Sequence, residues 1–247
     1  MAKKQARPNE NTEALATVGA SALATTGDQA SRVGKEGFGQ EDMTFPRIAF
    51  AQKTSPQIDP ESDEYIESLK LYQMFNNLTG TVYGNEIEFA IIRRTKRAIE
   101  FDEQGNVVDF DVPLDDPRLA FTDDGKGGRG KPRATLFYEY LIAIPREGGD
   151  PEIGILSLKT TQIKNAKKLN SLIALRPGAI YAGLWKGSTS GKTHGSYTFT
   201  NFIAVPAAGT PKDLFDYCEQ MFAFTEGKRL ETQRDVDDVV EADKTPF

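Results

Sequence analysis

Apolar and polar residues alternate most clearly in residues 134–144, ATLFYEYLIAI, where Leu136, Tyr138, Tyr140, Ile142 and Ile144 share one face of a strand. Residues 153–160 read as the next strand, across the turn REGGDPE. An earlier strand covers 87–101. Ile87, Phe89 and Ile91 lie on one face that Ile99 and Phe101 continue, with Arg93, Arg94, Lys96 and Arg97 between them. Residues 45–51 form a weaker strand led in by Pro46, 65–75 a short helical or irregular piece, and 79–85 a strand or turn. From 160 to 175 the spacing turns helical. Ile163, Ala166, Leu169, Leu172 and Ile173 make the buried stripe, and Thr161 is placed to cap it. Two further strands, 178–186 and 195–205, flank a loop at 187–194. Pro211 opens a last helix with Leu214, Phe215, Cys218, Met221 and Phe222 on its apolar side, ending near Gly227.

Five or six strands, a helix between strands and a closing helix, without βαβ alternation, predict a mainly β, α+β fold. A small antiparallel barrel of the OB type with insertions accommodates them best. Residues 102–133 are acidic, then glycine-rich, and carry Pro113, Pro117 and Pro132, so an extended, mobile insertion is expected there. Residues 1–41, with no aromatic before Phe38, and 227–247 are expected to be disordered, leaving 42–226 as the core.

Charge changes the picture. The chain carries a net −6 over 247 residues, yet residues 125–210 hold twelve bases against four acids, while 42–124 hold eight bases against seventeen acids. A basic middle beside acidic flanks points to a polyanionic partner. The candidate phosphate contacts are Arg93, Arg94, Lys96, Arg97, Lys159, Lys164, Lys167, Lys168, Arg176, Lys186 and Lys192. An alternative for the bases of 93–97 is an edge strand that uses charge to block aggregation.

Catalytic chemistry finds little footing. One cysteine, Cys218, and one histidine, His194, are too few for a Cys/His zinc site, and a single cysteine fits a reducing compartment. Gly125–Lys131 imitates a phosphate loop, but Pro132 stands where a magnesium-binding hydroxyl belongs. The run from Gly187 to Thr193, GSTSGKT, has its first glycine one place late and a strand, not a helix, after it. The pairs Asp115-Asp116 and Asp123-Asp124 lie in a stretch where solvation is the default. The reading is a non-enzymatic protein with no cofactor and no metal. No apolar run reaches the ~18 residues of a membrane span, so a soluble, cytoplasmic protein is expected.

Among the aromatics, Tyr181, Trp185 and Tyr197 fall on strands near lysines, where exposed rings would stack on unpaired bases. Trp185, beside Lys186, is the preferred platform, whereas Phe137, Phe199 and Phe202 are expected in the core or at its boundary.

The end of the chain carries its own signal. Residues 231–247, ETQRDVDDVVEADKTPF, hold six acids against two bases and finish in Pro246-Phe247. This segment resembles the acidic tail, closed by Phe, of single-stranded-DNA-binding proteins of bacteria and T7-like phages. The resemblance covers about the last thirteen residues. It implies a sequence-independent single-stranded-DNA-binding protein of phage replication or recombination. Asp235, Asp237, Asp238, Glu241, Asp243, Pro246 and Phe247 would then dock a polymerase, helicase or primase, and the tail would compete with DNA for the basic groove. Two alternatives stay open: a structural or adaptor phage protein that does not bind DNA, and a strand-annealing recombinase. Self-association is also open.

Overall fold

The computed structural model describes residues 45–102, 104–123, 125, 130–194 and 197–227, the side chains of His194 and Tyr197 excepted. The expectations for 1–41 and for the acidic tail lie outside these residues. Among the described residues the strands are β1 (Arg47–Phe50), β2 (Met74–Asn76), β3 (Val82–Gly84), β4 (Glu86–Phe101), β5 (Val107–Asp109), β6 (Ala134–Ile144), β7 (Glu152–Lys159), β8 (Gly183–His194) and β9 (Tyr197–Gly209). The helices are α1 (Ile163–Leu175) and α2 (Lys212–Thr225), and neither is long and apolar enough to cross a membrane.

The sheet runs β3-β2-β1-β7-β6-β4-β8-β9, with β5 paired to β4. Its centre is an OB-like, curled half-barrel. β4 pairs antiparallel with both β6 and β8, β6 with β7, and β8 with β9, and α1 lies between β7 and β8 in the chain. The inner face buries Phe89, Ile91, Tyr140, Ile142, Leu156, Leu158, Trp185 and Phe202 against Ala166 and Leu169 of α1. On the outer face, Ala90, Ile92, Leu141, Ala143 and Ile155 pack with Leu214 and Cys218 of α2. Burial pushes the Cys218 thiol up to about 12, so it serves as a small apolar side chain.

A bulge sets which residues face which way. Ile91 pairs with Ile142 but Arg93 with Leu141, so Ile92 is the extra residue and side-chain parity reverses there. Ile99 and Phe101 therefore do not continue the face of Ile87, Phe89 and Ile91, as alternation predicted. They stand on the outer face.

The barrel is not closed by a β7–β9 ladder. Side chains do that work. Gln162 donates to the Thr200 carbonyl and accepts from the Phe202 amide at 3.1 Å, and Asn165 donates to the Phe202 carbonyl at 2.7 Å. Thr200 Oγ1 donates to the Ala51 carbonyl at 3.1 Å, and Arg176 donates to the Ala208 carbonyl at 2.9 Å. Pro206, lacking an amide hydrogen, sits on the same edge. Thr161 makes no cap; a 3-10 turn, Thr160–Gln162, leads into α1 instead.

The described residues of 102–133, expected to be an extended, mobile insertion, fold back on the sheet. β5 pairs with β4, and Val112 packs with Ala98 and Ala134. Arg118 joins Glu100 (2.6 Å), Asp109 (3.0 Å) and Asp116 (2.9 Å), while Arg133 reaches Glu100 at 2.8 Å. The Arg118 bond, first among these contacts, holds the Glu100 carboxyl below its ordinary range.

A second carboxylate ties β2 and β3 to β7. Glu152 accepts from Tyr83 at 2.5 Å, and from Asn76 and Arg146. Burial alone would push this carboxyl up. The bonds from Tyr83, Asn76 and Arg146 outweigh it, so the group lies below its usual range. A carboxylate depressed in the fold adds stability above its unfolded pKa, about 4.3, and loses it as pH falls through the folded value. Glu152→Gln should therefore flatten the acid limb of a stability-versus-pH curve. An unaltered limb would assign acid sensitivity to other carboxylates.

Candidate nucleic-acid interface

The strand β4 holds four of the predicted phosphate contacts, Arg93, Arg94, Lys96 and Arg97, but neighbours on a strand point to opposite faces. Arg93 and Arg97 lie on the outer face, opposite Leu141 and Phe137; Arg94 and Lys96 lie on the other, opposite Tyr140 and Tyr138. Arg93 is at the border of α2 and donates to the Thr225 carbonyl at that helix's last residue, so it holds the helix end.

Past the end of α2, the outer face continues in two rows. Thr95, Glu139 and Ser157 form one; Arg97, Phe137 and Lys159 the other. Arg97 Nε is 2.9 Å from Glu139, whose side chain is 5% exposed, and Ser157 Oγ reaches the same carboxylate at 3.4 Å. The rings of Phe101 and Phe137 are 6.2 Å apart, and the Lys159 ammonium sits 5.1 Å from the Phe137 centroid and 5.9 Å from that of Phe101. Phe137 lies beneath and Phe101 is half-buried. This is a cation–aromatic surface across β4, β6 and β7, the first three barrel strands, with β5 paired to β4 beside it. Strand alternation misses Phe101 and Phe137 as site residues because it puts Phe101 on the inner face.

Lys164, Lys167 and Lys168 are exposed on α1, on the opposite side of the sheet from this surface. Lys192 is exposed on β8. Lys186 is exposed too, but its ammonium is 2.9 Å from Glu86, which raises its pKa. The side chain of Tyr197 lies outside the described residues.

Two predicted contacts, the rings of Trp185 and Tyr181, are corrected, and a third, Arg176, is engaged by the fold. Trp185 is 1% exposed, because β8 turns it inward while its neighbour Lys186 faces out, so it is core and not a stacking platform. Tyr181 precedes β8 and is buried against α2, with its ring 5.0 Å from Phe215 in an edge contact. Arg176 is half-buried. Its guanidinium lies 5.7 Å from the Trp185 ring and bonds the β9 edge.

The expected loop 187–194 is strand. The glycines of GSTSGKT serve packing. A Cβ on Gly187 would stand 2.7 Å from the Phe202 ring, and one on Gly191 2.6 Å from the Tyr72 ring. Their spacing reflects the passage of two aromatic rings across β8, and no phosphate cradle is built there.

Comparison with curated proteins and with solved structures finds no match. A family model described as Pam3 phage gp34-like protein matches residues 11–231, which is most of the chain and spans the whole barrel, both helices and the insertion. The chain belongs to the Pam3 phage gp34-like protein family.

Proposed function

We propose that the protein is a non-catalytic single-stranded-DNA-binding protein of phage replication or recombination. The observation that carries this reading is the grouping of Lys159 over the Phe101–Phe137 rings with Arg97 opposite Phe137, on the outer face of β4, β6 and β7. In OB folds this strand-2–3 face and its flanking loops take up oligonucleotides. Cations there neutralise phosphates, and a ring offers a stacking surface indifferent to sequence. The acidic segment 231–247 is the proposed docking point for a replication protein, on the strength of its charge and its likeness to the tails named above.

Anisotropy titration of the full chain with labelled oligothymidylate and with a duplex of equal length tests this reading. Single strands should bind more tightly. Affinity should fall with salt at a slope of roughly −0.7 per phosphate contact on a log–log plot. Phe101→Ala should cost about 1–3 kcal/mol of binding. Removing 231–247 should raise affinity at low salt and abolish capture of the replication partner. Equal affinity for duplex, or none for either, would refute the proposal.

A further inference from the structure

The reversal of parity at Ile92 places Arg94 and Lys96 on the side of the sheet that α1 covers. Lys96 stands over the Tyr138 ring, 5.8 Å from its centroid, and Arg94 lies opposite Tyr140 in the ladder. The Tyr140 hydroxyl reaches into α1, 3.3 Å from the Ala166 carbonyl and 3.0 Å from Asn170 Oδ1. Lys167 is three residues before Asn170 and shares that flank of the helix; Lys164 and Lys168 are one turn apart beside it. The burial of Tyr140 against α1 thus brings the strand cations and the helix cations to one side of the protein. All five are exposed, and no carboxylate pairs with any of them among the described residues.

The chemistry of this side differs from that of the outer face. Tyr138 and Tyr140 are buried beneath the cations, and neither offers a ring to solvent. Ammonium and guanidinium groups are the usual partners of phosphate oxygens, and here no ring is offered on which a base could stack. Successive lysines on one helix flank stand about 5–6 Å apart at their Cβ atoms, a spacing that a sugar-phosphate chain can follow.

We infer that Arg94, Lys96, Lys164, Lys167 and Lys168 form a second nucleic-acid surface, which holds the sugar-phosphate backbone and leaves the bases untouched. This rests on the nucleic-acid reading above but concerns a separate face of the same strand. The two faces of β4 would then engage two segments of nucleic acid in different ways, one through bases and phosphates, one through phosphates alone.

The probe is a labelled abasic oligomer, tetrahydrofuran-phosphate units of the same length as the oligothymidylate, titrated against the full chain. Lys164→Glu/Lys167→Glu/Lys168→Glu should weaken abasic binding at least tenfold and lower its salt slope by roughly 2, the value for three lost phosphate contacts. Oligothymidylate binding should change less than threefold. Arg94→Gln/Lys96→Gln should reproduce the loss from a different element, and thermal melts should confirm that both variants remain folded. Phe101→Ala should show the opposite selectivity, weakening oligothymidylate and sparing the abasic probe. Failure of the wild type to bind the abasic oligomer would overturn the inference, as would equal loss of both probes in the lysine variant. Abasic binding that depends on these five residues while oligothymidylate binding ignores Phe101 would instead overturn the base-stacking reading and leave this surface standing.

Discussion

Replacing Trp185 by alanine should remove about 3–5 kcal/mol of stability, the usual cost of emptying a large aromatic site in a core. At this chain length that corresponds to a fall in Tm on the order of 10 °C. The indole is 1% exposed, opposite Phe89 in the ladder, with the Arg176 guanidinium over its ring. Its removal leaves a cavity at the centre of the half-barrel and takes away the surface on which Arg176 rests. Thermal unfolding followed by circular dichroism measures the effect. Below its melting temperature the variant should bind single strands as the wild type does. A variant with unchanged Tm and lost binding would return the indole to the surface.

Gln162→Ala should be nearly as damaging, for a different reason. Gln162 is 6% exposed and answers two backbone groups of β9, the Thr200 carbonyl and the Phe202 amide. Alanine leaves both without their partner, at about 1–3 kcal/mol each for groups kept from water. It also uncovers part of a thirteen-residue edge strand that Asn165, Arg176, Pro206 and the Thr200–Ala51 bond would then protect. The denaturant midpoint should drop, and size-exclusion profiles should show new self-association that grows with concentration. A lower midpoint without association would mean that the remaining contacts suffice to block the edge. An unchanged midpoint would show that water replaces the glutamine.

Much of this fold is legible in the sequence because its signals are local. β6 alternates cleanly, and the apolar spacing of α1 and α2 fixes both helices within a few residues. The OB-like order comes from counting elements. The outward set of β4 is not legible. Phe89-Ala90-Ile91-Ile92 is apolar at four successive positions because both faces are covered there, by the barrel core and by α2. Such a run carries no alternation in which a bulge could show. Alternation therefore places every residue beyond it one position out of phase, and Phe101 on the wrong face. Trp185 is another matter. Neighbours on a strand point oppositely, so an exposed Lys186 already implies an inward Trp185. Weighing nearness in sequence to a basic residue above that rule gives the wrong side. Arg176 and Gln162 give no signal, because both act on the backbone of a strand more than twenty residues away.

The extra residue in β4 also bears on how the family can vary in length. Ile92 is the one place in this strand where a residue can be lost without disturbing the facing of the residues beyond it. Its deletion would restore an unbroken ladder and leave Arg94 and Lys96 on one side, Arg97 and Phe101 on the other. A single deletion between Arg94 and Glu100 would rotate the rest of the strand by half a turn and exchange the residues of the two sides. Relatives should therefore tolerate a gap at the bulge far more readily than at any position from 94 to 100, and where they carry one there, a second, compensating change should be found within the same strand.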